Sequence, residues 1–210
     1  MERWLTCGEA WIGLMRHVWT TGEAGLDDRG PVIEAPPRLF EIVALGWDDP
    51  IIRAHGDAEA VARYTAKFTR TDVVPPFKYS YGARLRDLRG VDQLGWVTEL
   101  LLTRPWTKSG WISLTVPGER QDAVPCLAAL AFRIRDRRLS MTATFRSQNA
   151  FTSYLNYLPL RAVQLEVAGA VGLPAGTMRV FVDVPHVYIA DTGAVTSVLA
   201  RTTTLTRSAA

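Results

Sequence analysis

The side chains best equipped for chemistry lie in one stretch of this 210-residue chain, from Ala123 to Asp191. Cys126, in Val124-Pro125-Cys126-Leu127, offers a thiol. Arg146-Ser147 offers a guanidinium beside a hydroxyl, Asn156 an amide, and His186-Val187-Tyr188 two ring donors two residues apart. Each sits at the edge of a regularly patterned segment, where a rigid scaffold presents groups that act. A thiol facing an arginine on the next strand is a nucleophile pattern, because positive charge favours the thiolate. A lone Cys beside Ala and Leu is also the ordinary pattern of an inert core thiol, so the local sequence leaves both readings open. An amide in a first helical turn can offer a ligand both a donor and an acceptor, or serve as a local cap or solvent-facing Asn. His186 and Tyr188 share a strand face, as residues two apart do, and suit sugar hydroxyls.

The patterns around these residues predict the elements that hold them. Leu127 to Ile134 and Leu139 to Phe145 read as a hairpin turning at Asp136 to Arg138 and ending at Arg146. Ser153 to Gly172 reads as a long helix that tolerates Pro159 near its start. Met178 to Val184 alternates as a buried strand. Upstream, residues 8–20 form an amphipathic helix with a stripe of Trp11, Leu14, Met15, Val18 and Trp19. Arg38 to Leu45 is a short strand broken by Asp48, Asp49 and Pro50. Asp57 caps a helix to Phe68 whose buried face is Val61, Tyr64 and Phe68; Asp92 starts another, lined by Leu94, Val97 and Leu101 and stopped by Pro105. Trp111 to Val116 alternates as a strand. After Asp191 the chain is rich in Thr, Ser and Ala, and 195–210 reads as a frayed tail.

Bulk properties narrow the function classes. The length suits one domain, 1–210, and 48% apolar with 21% charged residues is ordinary for a soluble globular chain. A net charge of +3 suits a small anionic ligand, while no Lys/Arg run tracks a nucleic-acid backbone. Arg133, Arg135, Arg137 and Arg138 cluster across the hairpin turn and read as solvated. No apolar stretch nears the roughly 20 residues that span a bilayer, and no secretory h-region follows Met1. Two thiols, Cys7 and Cys126, and three scattered histidines make neither a disulfide framework nor a metal site. A reducing cytoplasm is the expected compartment.

In order and type, Pro125-Cys126-Leu127, Arg146-Ser147-Gln148-Asn149, Asn156 and Asp183-Val184-Pro185-His186-Val187-Tyr188 resemble the thymidylate synthase family. That family reads Pro-Cys-His, Arg-Ser-x-Asp, an Asn at a helix start and Asp-x-His-x-Tyr. Weaker matches lie upstream. Asp27-Asp28-Arg29-Gly30 resembles its phosphate-gripping loop, and Tyr79-Ser80-Tyr81-Gly82 its Tyr-Gly segment. Arg104-Pro105-Trp106-Thr107-Lys108-Ser109 resembles the segment whose arginines reach the partner's phosphate site. The resemblance implies an α+β fold, a mixed sheet flanked by helices that dimerises through the sheet. It implies that Cys126 adds to pyrimidine C6 and that Tyr81 assists at C5. Arg29, Arg146, Ser147 and the partner's Lys108 would bind the 5′-phosphate, His186 and Tyr188 the sugar, and Asn156 the base. Asn149 would contact the folate, 5,10-methylenetetrahydrofolate. The read of residues alone also keeps Arg29 as a solvated turn residue paired with Asp27 or Asp28, and Tyr81 as an aromatic packed beside a turn.

The departures set further expectations. Lys108 and Ser109 stand where the family has paired arginines, Leu127 where it has His, and Asn149 where it has the pterin-contacting Asp. No Trp stands in a matching cofactor segment, and the chain stops soon after the His-x-Tyr strand. These point to a CMP or dCMP 5-hydroxymethylase first, a compact dUMP-methylating synthase second, and a non-catalytic nucleotide-binding paralogue third. The family's catalytic Glu has two candidate positions, Glu41 and Asp49.

Overall fold

The computed structural model describes residues 1–120 and 124–208, with side chains of the last helix up to Thr202. Ala123, where the chemically equipped stretch opens, lies outside the described residues. An eight-stranded mixed sheet runs in the order β1-β4-β8-β7-β6-β5, and β3 joins β8 with β2 outside it. The strands are β1 (Glu2–Trp4), β2 (Glu23–Asp27), β3 (Gly30–Glu34), β4 (Arg38–Ile42), β5 (Trp111–Ser113), β6 (Leu127–Arg135), β7 (Arg138–Asn149) and β8 (Ala175–Tyr188). The helices are α1 (Cys7–Thr21), α2 (Pro50–His55), α3 (Ala58–Thr69), α4 (Tyr81–Arg86), α5 (Gln93–Thr103), α6 (Tyr154–Ala170) and α7 (Thr192–Ser208). This is the α+β arrangement that the resemblance implies.

Central strands β7 and β8 run parallel, which the long crossover through α6 permits. β6 and β7 form the expected hairpin; Asp136 and Arg137 take φ of 49° and 57°, the left-handed geometry of a two-residue hairpin turn. Burial alternates along both central strands, with Leu139, Met141, Ala143 and Phe145 facing the core beside Met178, Val180 and Val182. Past Phe145 and Val182 the phase switches in both. Gln148 and Val187 become buried, and Ser147, Asn149 and Tyr188 are only half-buried. The site residues therefore occupy the end of the sheet where the regular alternation stops.

The predicted caps hold. Asp57 accepts from Ala60 N and Asp92 from Gly95 N, each starting its helix. The α1 stripe is buried at Trp11, Leu14, Met15 and Val18, while Trp19 is 40% exposed. Three features differ from the sequence expectation. Asp48 to Pro50 does not merely end a strand: Asp49 caps α2 and Pro50 occupies its first turn, where a missing N–H costs nothing. The charged turn at 27–30 is the tip of a β2–β3 hairpin, whose β3 pairs with the end of β8 through Val32↔Tyr188 and Glu34↔His186. The frayed tail is a correction. Residues 192–208 are helical, with Val195 fully buried and Val198 and Leu199 packed on the core. Thr-rich sequence has poor helix propensity, and tertiary burial of one stripe overrides it.

Candidate active site

Cys126 sits immediately before β6, half-buried. Its carbonyl accepts from Arg146 N at 2.9 Å, and the Ser147 hydroxyl donates to its sulfur at 3.7 Å. The Arg146 guanidinium turns to the loop that carries the thiol, donating from Nε to Pro125 O (3.1 Å) and from Nη2 to Val124 O (3.0 Å). The two cysteines are thereby separated in role. Burial, then the charge of Asp49, push the Cys7 thiol far up, so it stays protonated in the core.

Tyr81 reaches the same place from another element. Its hydroxyl accepts from Leu127 N at 3.2 Å, one residue past the thiol, and lies 3.4 Å from the Tyr79 hydroxyl. Tyr79 in turn lies against the backbone of Cys126. Burial pushes both phenols up, Tyr81 well above its ordinary range, so it works at this site as a neutral hydrogen-bonding group. Gly82 makes this possible. A Cβ there would stand 2.1 Å from the Arg70 carbonyl oxygen, so only glycine lets α4 close against the end of α3.

The residue that sequence reading missed is Lys67. It projects from α3 into a cage of rings, with Nζ 4.2 Å from the Tyr79 centroid, 4.4 Å from Phe77, 4.5 Å from Tyr81 and 5.6 Å from Tyr64. Such ring faces attract a cation electrostatically. Desolvation holds its amine down at about 8; Cys126 opposes that shift, while Arg29 and Arg84 add to it. The sequence signal was slight: Tyr64 and Lys67 share a helix face at i, i+3, but Phe77, Tyr79 and Tyr81 arrive from a separate segment.

The end of β8 supplies the polar rim. His186 and Tyr188 face the same way, ring centroids 5.2 Å apart. Burial lowers the imidazole's affinity for a second proton, and Nδ1 lies 3.2 Å from Val184 O, which leaves Nε2 as the acceptor. Tyr188 donates to Asp27 at 2.6 Å, and Asp27 also takes Arg29 N at 2.6 Å. Desolvation works against the Asp27 carboxylate, but the hydrogen bonds from Tyr188 and Arg29 prevail and hold its pKa below the ordinary value. Arg29 is close enough for its charge to be felt at Tyr64, Lys67, His186 and Tyr188. The hairpin tip thus leans over the thiol side of the sheet.

The other residues singled out in the sequence have surroundings of their own. Asn149 spends its amide locally, Nδ2 on Asp191 (3.0 Å) and Oδ1 on Phe151 N (3.0 Å). Asn156 is in the first turn of α6, and among the described residues no hydrogen bond joins it to Cys126 or to the groups around it. Its neighbour Tyr157 points into the core and donates to Gln148 at 2.8 Å. Lys108 lies on the loop before β5, its carbonyl held by Arg133. Arg133 is six strand residues beyond Leu127, roughly 20 Å along β6, so Lys108 does not reach the thiol of its own chain. Neither carboxylate candidate is available: Glu41 pairs with Arg179 (3.1 Å) and Arg3 (3.4 Å), and Asp49 accepts from Gly8, Ile51 and Ile52 N–H groups.

The family model for thymidylate synthase matches residues 47–208. The chain belongs to the thymidylate synthase family. Among its relatives are proteins of Methanococcoides burtonii (29% identical over 191 residues, 89% of this chain and 88% of that one) and Methanosarcina mazei (28% over 188 residues, 87% of each). A third, from Methanopyrus kandleri, is 27% identical over 198 residues, covering 89% of this chain and 91% of that one. All three carry the name "Putative thymidylate synthase". The family's chemistry is one-carbon transfer to C5 of a pyrimidine nucleotide, with methylenetetrahydrofolate as the donor. Among the described residues, no helix is long and apolar enough to cross a membrane, and no group of three or more His, Cys, Asp or Glu could hold a metal ion.

Proposed function

We propose that this family member transfers a one-carbon unit to C5 of a pyrimidine nucleoside monophosphate with Cys126 as the nucleophile, and that its product is 5-hydroxymethylated CMP or dCMP. One observation carries the reading: the half-buried thiol faces the Ser147 hydroxyl, Tyr79 and Tyr81 meet the backbone at Cys126 and Leu127, Lys67 packs against both rings, and sugar-type donors stand at the rim. The thiolate adds to C6, which makes C5 electron-rich enough to bond the one-carbon unit, and water then supplies the hydroxyl oxygen of the product. Tyr81 assists proton removal from C5 through its hydrogen-bonded hydroxyl, and the thiol leaves by elimination. Arg29 clamps the phosphate with Ser147, while Arg146 fixes the loop that aims the sulfur. His186 Nε2 and Tyr188 receive the ribose hydroxyls, and Asn156 reads the base.

When bound, methylenetetrahydrofolate supplies the one-carbon unit. Asn149 does not fit it, since both ends of its amide are engaged. A cleft of about 380 Å³ between α2 and α3, walled by Trp47, Ile52 and Val61 with Arg53 beside them, is the mainly apolar hollow we propose for the carrier's ring system. The engaged Asn149 supports the hydroxymethyl product, because the pterin contact that the family makes there is missing. The relatives' shared name supports a second reading, methylation of dUMP. Dimerisation through the sheet is supported by its second face, where Leu39, Thr142, Thr144 and Phe181 are left partly or largely exposed. A back-to-back partner would also deliver its own Lys108.

The test is mass spectrometry of CMP, dCMP, UMP and dUMP after incubation with the protein and methylenetetrahydrofolate, beside Cys126→Ala. A hydroxymethyl group on a cytosine nucleotide, absent with the variant, is the expected result. A methyl group on dUMP establishes the second reading. Binding of a nucleotide without any product overturns both.

A further inference from the structure

We propose that Lys67 is the basic partner of the Cys126 nucleophile: its amine takes the thiol proton and then holds the thiolate as an ion pair. The inference deepens the C5-transfer reading and rests on it for its meaning in turnover. The positions themselves are independent of that reading. Lys67 is 6% exposed, four aromatic rings surround its ammonium group, and the charge of Cys126 is felt there. Two of those rings, Tyr79 and Tyr81, carry the hydroxyls that touch the backbone of Cys126 and Leu127. The cage and the thiol are therefore one assembly, built from α3, the segment 77–81 and the head of β6.

The groups expected to assist at the site are occupied elsewhere. The Arg146 guanidinium holds the carbonyls of Val124 and Pro125. Glu41 and Asp49 are engaged with Arg179, Arg3 and backbone N–H groups. The groups facing Lys67 are Tyr64 from its own helix, Phe77, Tyr79 and Tyr81 from the following segment, Cys126 from the loop before β6, Arg29 from the β2–β3 turn and Arg84 from α4. Burial and the two guanidinium charges make the free amine accessible, at a pKa of about 8, whereas an anionic sulfur favours the ammonium. In the step, the S–H bond breaks, an N–H bond forms and the electron pair stays on sulfur. No further reactant is needed. When sulfur leaves the pyrimidine, the same charge receives it. Lys67 is thus a positioning residue that acts on substrate through Cys126.

The test needs no nucleotide. Iodoacetamide alkylation of Cys126 in the full chain is followed by peptide mass spectrometry across neutral and mildly alkaline pH. Lys67→Met should slow alkylation at neutral pH by about tenfold, and Lys67→Arg, which keeps the charge, should recover most of that loss while changing the pH profile. An unchanged rate in a folded Lys67→Met protein overturns the proposal. The reciprocal measurement guards against misfolding: in Cys126→Ser, the Lys67 titration followed by carbon NMR should move to lower pH, and an unmoved midpoint also overturns it. Failure here leaves the C5-transfer reading to the nucleotide experiment, and the reverse holds as well.

Discussion

Asp49 and Lys67 are equally hidden, 5% and 6% exposed, and they are accommodated by opposite means. Asp49 accepts from Gly8 N (2.7 Å), Ile51 N (2.9 Å) and Ile52 N (3.1 Å), so its burial fastens the start of α1 to the start of α2. Lys67 has ring faces and a thiol for company, and desolvation depresses its affinity for a proton. A buried charge with its full set of donors is a fastening. A buried charge left with soft, polarisable company is held ready for a proton or a ligand, and such groups cluster at functional sites. The difference teaches which of two cryptic charges to suspect of chemistry.

The largest effect should come from Asp49→Ala. It orphans three backbone donors and a helix cap, and should cost about 3 kcal/mol in denaturant unfolding. Alkylation of Cys126 per folded molecule should not change; if it falls as well, the two charges are not separable. Lys67→Met should have the opposite sign, raising stability at neutral pH by roughly 2 kcal/mol, because it removes a desolvated ammonium. The pH dependence follows. The folded amine titrates at about 8 and an ordinary lysine amine at 10.5, so between those values the unfolded chain binds more protons. Wild-type stability contributed by this group therefore rises with pH across that window, and the rise should vanish in Lys67→Met. Gly82→Ala should cost about 1–3 kcal/mol, since a Cβ would meet the Arg70 carbonyl, and it should loosen the Lys67 cage at the same time. Tyr81→Phe is the mildest. It leaves the ring over Lys67 and removes the acceptor for Leu127 N together with the contact to the Tyr79 hydroxyl, for about 1 kcal/mol and a larger effect on C5 proton exchange than on stability.

The unequal legibility of these residues has a physical cause. Asp57 and Asp92 could be placed as caps from the sequence because a cap and the helix it starts are neighbours in the chain. The β6–β7 hairpin was legible for the same reason, with the thiol at its head and Ser147 beside it. The last helix was not, although Val195, Val198, Leu199 and Thr202 repeat at helical spacing, because its Thr-rich composition argues for disorder until α1 and the core give that stripe something to cover. Asn149 shows the converse limit. Its type and order matched a binding pattern, while its engaged amide is visible only once Asp191 is folded against it.

By itself the sequence determined the local grammar: caps, alternation, the hairpin, and the ordered set of Cys126, Arg146, Ser147, His186 and Tyr188 on edges of regular elements. Tertiary structure alone decided who stands next to whom. It turned Arg146 toward the loop, tied Tyr188 to Asp27 across 161 positions, and closed four rings and a thiol around Lys67. Spacing along a chain fixes the face of one helix or strand, whereas the field at a buried atom is set by groups that arrive from several, and that sum exists only in the folded protein.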